Sequence, residues 1–169
     1  MNQLVKSREQ QIRAPFVEPR AKQRSIFTVK TADEFLGLPV ECVHTIFRIE
    51  RITAIPLAPA VVIGLVNLRG KVVTAVSLRR RIGRKDLNSH EGAIAIGIEH
   101  LGESFALLVD EVGDVVNVLE SARIPPPPNL TAFRLSLTTA VYRMNQGFIS
   151  VLELDAVLNF NQTPLKHCS

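Results

Sequence analysis

Apolar and polar residues follow two different rhythms along this chain, and the change falls near residue 25. Before it no apolar period is sustained. After it, short runs rich in β-branched residues recur with turn formers between them, the pattern of many short strands closed into small barrels or sandwiches. Residues 26–30 alternate apolar and polar, and 35–38 follow the turn-like Thr31-Ala32-Asp33-Glu34, so the two segments form a hairpin. Pro39 suits the first position of a helix, and Val40, Val43, Ile46 and Phe47 then fall at helical spacing, which predicts a short helix. A strand over 52–55 ends at Pro56. The runs 61–66 and 72–78 flank the turn Asn67-Leu68-Arg69-Gly70.

The charged stretch 79–91, with Gly83 and Asn88-Ser89, reads as a surface connection, and Arg79-Arg80-Arg81 with Arg84-Lys85 as a solvated helix face. Beyond it, strands 93–98 and 105–109 surround His100-Leu101-Gly102-Glu103, and 112–119 is a further strand with Gly113 at a bulge. Pro125 to Pro128 form a stiff extended connector, because proline cannot donate to a ladder. A last hairpin pairs 138–143 with 148–152 through Asn145-Gln146-Gly147, and Asp155 is placed to cap a short helix ending near Leu158. Two strand sets, each opening with a hairpin and followed by a helical scrap, predict a mainly β domain over 25–162. Its two barrel subdomains are expected at about 25–85 and 90–162.

With 169 residues, 46% hydrophobic and 21% charged, the chain can bury one compact core. No apolar run reaches the roughly 18 residues a membrane helix needs, and Met1-Asn2-Gln3-Leu4-Val5-Lys6 lacks a signal-peptide core. Cys42 and Cys168 are the only cysteines, in keeping with a reducing cytoplasmic compartment. Residues 1–24 hold six Lys/Arg against two Glu while the rest holds fourteen of each sign, so the formal excess of +4 belongs to this segment. With Pro15 and Pro19 it reads as a flexible basic tail, and 163–169 as a second tail. A small basic nucleic-acid-binding barrel is one alternative, against which stand a single Tyr and no Trp for base stacking.

Chemistry is sparse. Among His44, His90, His100 and His167, only Cys42/His44 and His167/Cys168 set soft ligands close together, and neither supplies the paired spacing of a metal site. The carboxylates Asp110-Glu111 fall where an apolar strand turns into solvent. No Gly-rich phosphate loop, Gly-x-Ser-x-Gly elbow or His-Glu-x-x-His helix occurs. The expectation is a binding module with no catalytic residue, metal or cofactor. Its working element is the hairpin 66–73, which displays one cation on a rigid β scaffold suited to a protein surface.

The series Phe35-Leu36-Gly37-Leu38-Pro39-Val40, then 52–56, Gly64-Leu65-Val66-Asn67-Leu68-Arg69-Gly70, Leu78-Arg79, Val109-Asp110-Glu111-Val112 and Ile124-Pro125-Pro126 resembles the CheW-like adaptor domain of bacterial chemotaxis and related pilus-motility systems. The resemblance spans about residues 25–160. It implies two intertwined five-stranded Src-homology-3-like barrels with short helices and a third core between them. It also implies a non-catalytic cytoplasmic adaptor, recruited to membrane receptor arrays without entering the bilayer. Such a protein joins the cytoplasmic tip of methyl-accepting chemoreceptors to the regulatory domain of a CheA-type histidine kinase, in chemotaxis or type IV pilus motility, with no nucleic acid involved. The partner-binding residues it implies are Val43, Thr45, Gly64, Asn67, Leu68, Arg69 and Gly70, with Val43 on the short helix.

The chain departs from that pattern at three places. Thr45 stands where the family commonly has a Glu, so the usual carboxylate partner of Arg69 is missing. Arg69 is then expected to be exposed, bonded to backbone carbonyls, or left for a partner's carboxylate. Ser77 replaces a usual Asp, and Thr139 or Ala140 a usual Gly. These departures motivate a further alternative, a diverged copy that binds kinase but not receptor.

Overall fold

A computed structural model describes residues 22–145 and 147–160; most of segment 1–24 and all of 163–169 lie outside them. The strands are β1 (Gln23–Thr31), β2 (Glu34–Pro39), β3 (Val43–Arg48), β4 (Val62–Leu68), β5 (Lys71–Ser77), β6 (Ile94–His100), β7 (Glu103–Val109), β8 (Glu111–Leu119), β9 (Arg123–Ile124), β10 (Thr138–Met144) and β11 (Gly147–Leu152). Three short helices join them: α1 (Leu78–Arg81), α2 (Ala132–Ser136) and α3 (Leu154–Leu158). β1 begins at Gln23, which pairs with Leu119, so the ordered ladder starts inside the segment read as tail.

Two sheets form, one in the order β8-β1-β2-β11-β10-β9 and one in the order β3-β6-β7-β5-β4. The fold is therefore mainly β, two Src-homology-3-like barrels with short helices, the first carrying the two-residue β9 as a sixth strand. The barrels do not divide the chain near residue 85–90. The first takes β1 and β2 from one end and β8 to β11 from the other, and the second takes everything between them. A parallel ladder between β2 and β11, pairing Leu36 with Ser150, joins the two halves of the first barrel, and a parallel ladder between β5 and β7 binds the second. Parallel pairing needs a long crossover, so sequence neighbours cannot supply it.

Period-two patterning sends successive side chains to opposite faces, and here both faces are often buried. In β7, Phe105, Leu107 and Val109 enter a large core between the sheets, whereas Ala106 and Leu108 enter the interior of the second barrel. That explains the unbroken apolar run Phe105 to Val109. The second barrel's interior combines Ala75, Ala95 and Ala106 with the larger Ile49, Val66, Val73 and Leu108. The first barrel holds Ile26, Val118, Ala140, Tyr142, Ile149 and Val151. Three cores, two inside barrels and one between them, match the implied architecture.

Three hairpin turns share one geometry. Ala32 and Asp33, Arg69 and Gly70, and Leu101 and Gly102 each form a two-residue hairpin loop with both φ angles positive, the conformation whose twist matches the flanking strands. Glycine serves the last two loops because it adopts that region without strain. The anticipated bulge in β8 is present at 113–114, where β1 skips one partner between Phe27 and Val29. A side chain at Gly113 would meet the Thr28 hydroxyl.

Four expectations are corrected. No helix spans Val40 to Phe47; a single 3-10 turn, Val40–Cys42, leads into β3, whose exposure alternates residue by residue. Residues 52–55 form no strand beyond a bridge between Thr53 and Leu65, because Pro56 and Pro59 cut the ladder. Asp155 does not cap α3; Glu153 holds that position, and the Asp155 carboxylate instead pairs with His100 at 2.6 Å. The arginine run is not a solvated face, since Arg81 is wholly buried, its guanidinium over the Phe133 ring at 5.4 Å and bonded to the Ala156 and Asn159 carbonyls. The helix α2, unanticipated, starts at Thr131, whose hydroxyl accepts from the Arg134 N–H at 3.2 Å.

Ser77 caps α1. Its Oγ accepts from the Arg80 N–H at 3.2 Å and donates to Asp86 at 2.9 Å, and Asp86 also meets His90 at 3.0 Å and Arg80. Ser77→Ala removes the cap and one acceptor-donor link at once. We expect a loss of about 1 kcal/mol, read as a lower urea midpoint with unchanged slope.

Candidate functional site

β3 and β4 are the outer strands of the second sheet, yet the sheet curls until they face each other. After Ile49 the chain crosses from one to the other, and Thr53 exchanges both backbone hydrogen bonds with Leu65, at 2.9 and 2.8 Å. Gly64 makes this crossing possible. Its φ is +154°, and a side chain there would strike the Thr53 carbonyl and Ile52, so only glycine lets the two backbones approach. At the other end Thr45 and Leu68 lean together over Gly97 of β6, where an added methyl would sit 2.7 Å from the Thr45 Cγ2 and 3.1 Å from the Leu68 Cδ2.

The two strands leave between them a groove of about 310 Å³, lined by β3 and its continuation to Arg51 on one side and by Val66 to Arg69 on the other. Its deeper wall is apolar, from Phe47, Ile49, Val66 and Leu68, while Ile46 stands at the outside, 47% exposed. The rim is charged. The lining includes Arg48, Arg51 and Arg69 and a single carboxylate, Glu50. Arg48 is tethered by donation to the Gly92 carbonyl at 2.9 Å.

Arg69 heads the tight turn of the β4–β5 hairpin with φ at +53°, and the Asn67 Oδ1 accepts the Gly70 N–H at 2.7 Å to lock that turn. The guanidinium is exposed. Its Nη2 donates to the Thr45 Oγ1 at 3.4 Å, a long contact for this donor and acceptor. Of the three states expected for Arg69, exposure is the one observed, and among the described residues no backbone carbonyl is seen to hold it.

Thus four of the seven implied site residues, Thr45, Asn67, Leu68 and Arg69, line one groove. The other three do not. Val43 begins β3 and packs against the core between the sheets, Gly64 lies beneath Thr53, and Gly70 ends the turn with open space around its Cα. Arg48, Arg51, Ile46 and Phe47 were missed as lining residues. Reading 43–48 as a strand from its Val, Thr and Ile content would have placed Ile46, Phe47 and Arg48 beside Thr45.

Burial pushes the Cys42 thiol up, with Glu41 adding to the effect, away from the thiolate a nucleophile needs. Among the described residues no group of three His, Cys, Asp or Glu side chains could hold a metal ion, and no helix is long and apolar enough to cross a membrane.

Residues 25–162 match the family model of the CheW-like domain. The chemotaxis protein CheW of Rhizobium meliloti (strain 1021) is 28% identical over 134 residues, covering 79% of this chain and 86% of that protein. The chemotaxis protein CheW of Treponema pallidum (strain Nichols) is 23% identical over 142 residues, covering 79% and 81%. In three dimensions the scaffolding protein TtCheW from Thermoanaerobacter tengcongensis is similar, with a TM-score of 0.72 and 28% identity over 85% of this chain and 99% of that one. A match across both barrels and the core between them is a match to the whole domain, and this chain belongs to the CheW-like domain family.

Proposed function

We propose that this protein is a non-catalytic chemotaxis adaptor that couples the cytoplasmic tip of methyl-accepting chemoreceptors to the regulatory domain of a CheA-type histidine kinase. The observation that carries the reading is the whole-domain similarity to CheW chemotaxis proteins, one of them described as a scaffold. The groove between β3 and β4 supports a docking role, because it sets apolar walls beside an exposed guanidinium carried on a locked turn. An adaptor of this kind works in the cytoplasm at receptor arrays, needs no cofactor and acts only through reversible surfaces, whose affinity is set by a few well-placed anchors rather than by area.

Binding of the full chain to a purified receptor signalling hairpin and to a kinase regulatory domain tests the proposal. Both are expected to bind in the micromolar range. Arg69→Ala is expected to weaken the receptor hairpin at least fivefold, about 1 kcal/mol for a charge-assisted hydrogen bond in a half-wet groove, and to leave the kinase domain unaffected. Binding to neither partner would overturn the reading. Kinase binding alone would mean the diverged copy that has given up receptors.

A further inference from the structure

The tetraproline run Pro125 to Pro128 lines no part of the groove, yet its own chemistry fixes its shape. A proline ring holds φ at about −65°, and a residue that precedes proline is pushed out of the helical region. Pro125, Pro126 and Pro127 lie under both constraints, which makes the segment a left-handed polyproline helix of three-fold period. Exposure follows that period. Ile124 and Pro127 are half-buried, whereas Arg123, Pro125, Pro126 and Pro128 are exposed. One edge of a three-sided rod therefore rests on the protein and two edges stand in water. Both ends are anchored. Ile124 pairs with Val141 in the β9–β10 ladder, and the Pro127 carbonyl accepts the Leu130 N–H at 3.1 Å in a turn that leads to Thr131, the cap of α2. Among the described residues that is the hydrogen bond made by the four proline carbonyls, and those of Pro125, Pro126 and Pro128 are left open to a donor.

We propose that Pro125 to Pro128 is a displayed ligand for a protein partner whose surface carries a groove lined by aromatic side chains, with Pro125 and Pro128 entering on one edge and Arg123 meeting a carboxylate at the groove's end. Prolines three apart share an edge of the polyproline helix, and rings spaced in this way dock on flat aromatic faces while the open carbonyls accept from tryptophan or tyrosine. A rod already held in its bound shape loses little entropy on docking, which is what the two anchors supply. Arg123 keeps 52% of its side chain exposed and holds Glu120 at 3.4 Å and the Thr139 carbonyl at 3.1 Å. So exposed a pair is worth little, and exchanging Glu120 for a partner's carboxylate costs little. A second copy of this chain is a poor host, because the sequence has no Trp and its single Tyr, Tyr142, is wholly buried inside the first barrel. The surface is separate from the β3–β4 groove and does not depend on what that groove binds.

Two purified proline-recognising probes, a WW domain and a Src-homology-3 domain with tryptophan in their grooves, are titrated with the full chain. Because the chain contains no Trp, the fluorescence reports the probe alone. A free peptide of residues 121–130 runs beside it. The expected result is that at least one probe shifts its emission with the full chain and binds it no more weakly than the peptide, since the rod is held in its bound shape. Pro125→Ala/Pro128→Ala should weaken that binding by roughly fivefold or more, and Arg123→Glu should weaken it where the groove ends in a carboxylate. Lys85→Ala, on the connection after α1, should leave it unchanged. Thermal melts confirm that each variant is folded, and should the double variant fail, Pro128→Ala alone and the doubly substituted peptide give the comparison. A probe that binds the peptide but not the full chain overturns the proposal, because the run is then covered in the fold. Equal binding by the chain and its folded double variant overturns it as well, placing the contact elsewhere. So does failure of both probes to bind even the peptide.

Discussion

Replacing Glu34 with alanine should cost this protein about 3–4 kcal/mol of stability, one of the two largest effects expected of a single surface-accessible side chain here. Glu34 opens β2, and its carboxylate is held between two arginines from distant parts of the chain. Arg84 donates to Oε1 through Nε at 2.8 Å and Nη2 at 2.6 Å, and Arg134 of α2 donates to Oε2 at 2.6 Å. The partners differ in kind. Arg84 is largely solvated, so its share is small, as for most exposed pairs. Arg134 is 8% exposed, and burial pushes its pKa down while Glu34 pulls it back up. Without Glu34 that guanidinium remains inside with no counter-charge.

For a domain of this size such a loss lowers the melting temperature by about 10 °C. Equilibrium urea unfolding of Glu34→Ala measures it. The double variant Glu34→Ala/Arg134→Met should recover more than half the loss, because an apolar side chain of similar volume needs no partner. A single-variant loss under about 1 kcal/mol would mean that the cluster behaves as an ordinary surface pair.

The second large effect lies at Asp110, read from sequence as a solvated strand end and found instead at a junction. Arg79 grips it with both arms, Nε to Oδ1 at 2.7 Å and Nη2 to Oδ2 at 2.6 Å, and the Ala32 N–H donates to Oδ2 at 2.7 Å. One carboxylate therefore joins α1, the β1–β2 turn and the β7–β8 connection. Burial alone would raise its pKa, but the Arg79 and Ala32 bonds with the charges of Arg79 and Lys30 outweigh it and hold the group below the usual carboxylate range. Asp110→Ala is expected to cost about 2–3 kcal/mol at pH 7, somewhat less than a fully buried pair because both side chains keep some contact with water.

The same depression fixes the sign of the pH dependence. Near pH 4 the unfolded chain takes up a proton at this position and the native chain does not, so the stabilisation present at neutral pH drains away as pH falls through the native pKa. Urea midpoints at pH 7, 5, 4 and 3 should fall more steeply for the native chain than for Asp110→Asn. Parallel curves would show that this ion pair plays no part in the acid limb.

The fold was legible where local chemistry decides it. Gly70 and Gly102 suit the second position of their hairpin loops, whereas Ala32, Arg69 and Leu101 take positive φ against their own preference because the strands on either side fix the loop at two residues. What failed was any feature decided by distant partners. Val40, Val43, Ile46 and Phe47 satisfy a helical period, but the sheet edge offered by β6 takes Val43 to Arg48 as a strand, and β-branched side chains suit it. Arg81 and Asp110 read as solvated because nothing nearby in sequence shows that α3 and Ala32 will close over them. The turn with Arg69 was found from sequence, whereas the groove was not, since its other wall arrives only when the second sheet curls onto itself.

The order in which strands enter the first barrel governs how a nascent chain can mature. Leu36 waits for Ser150, and Ile26 for Val116, so the opening hairpin emerges from the ribosome without neighbours, whereas residues 43–109 can complete a barrel as they leave. Closing so wide a loop is entropically slow. In refolding, protection of β3 to β7 amides should precede that of β1 and β2, and during synthesis Ile26, Leu36 and Leu38 stay exposed until the final hairpin arrives, the interval in which chaperones would have something to hold.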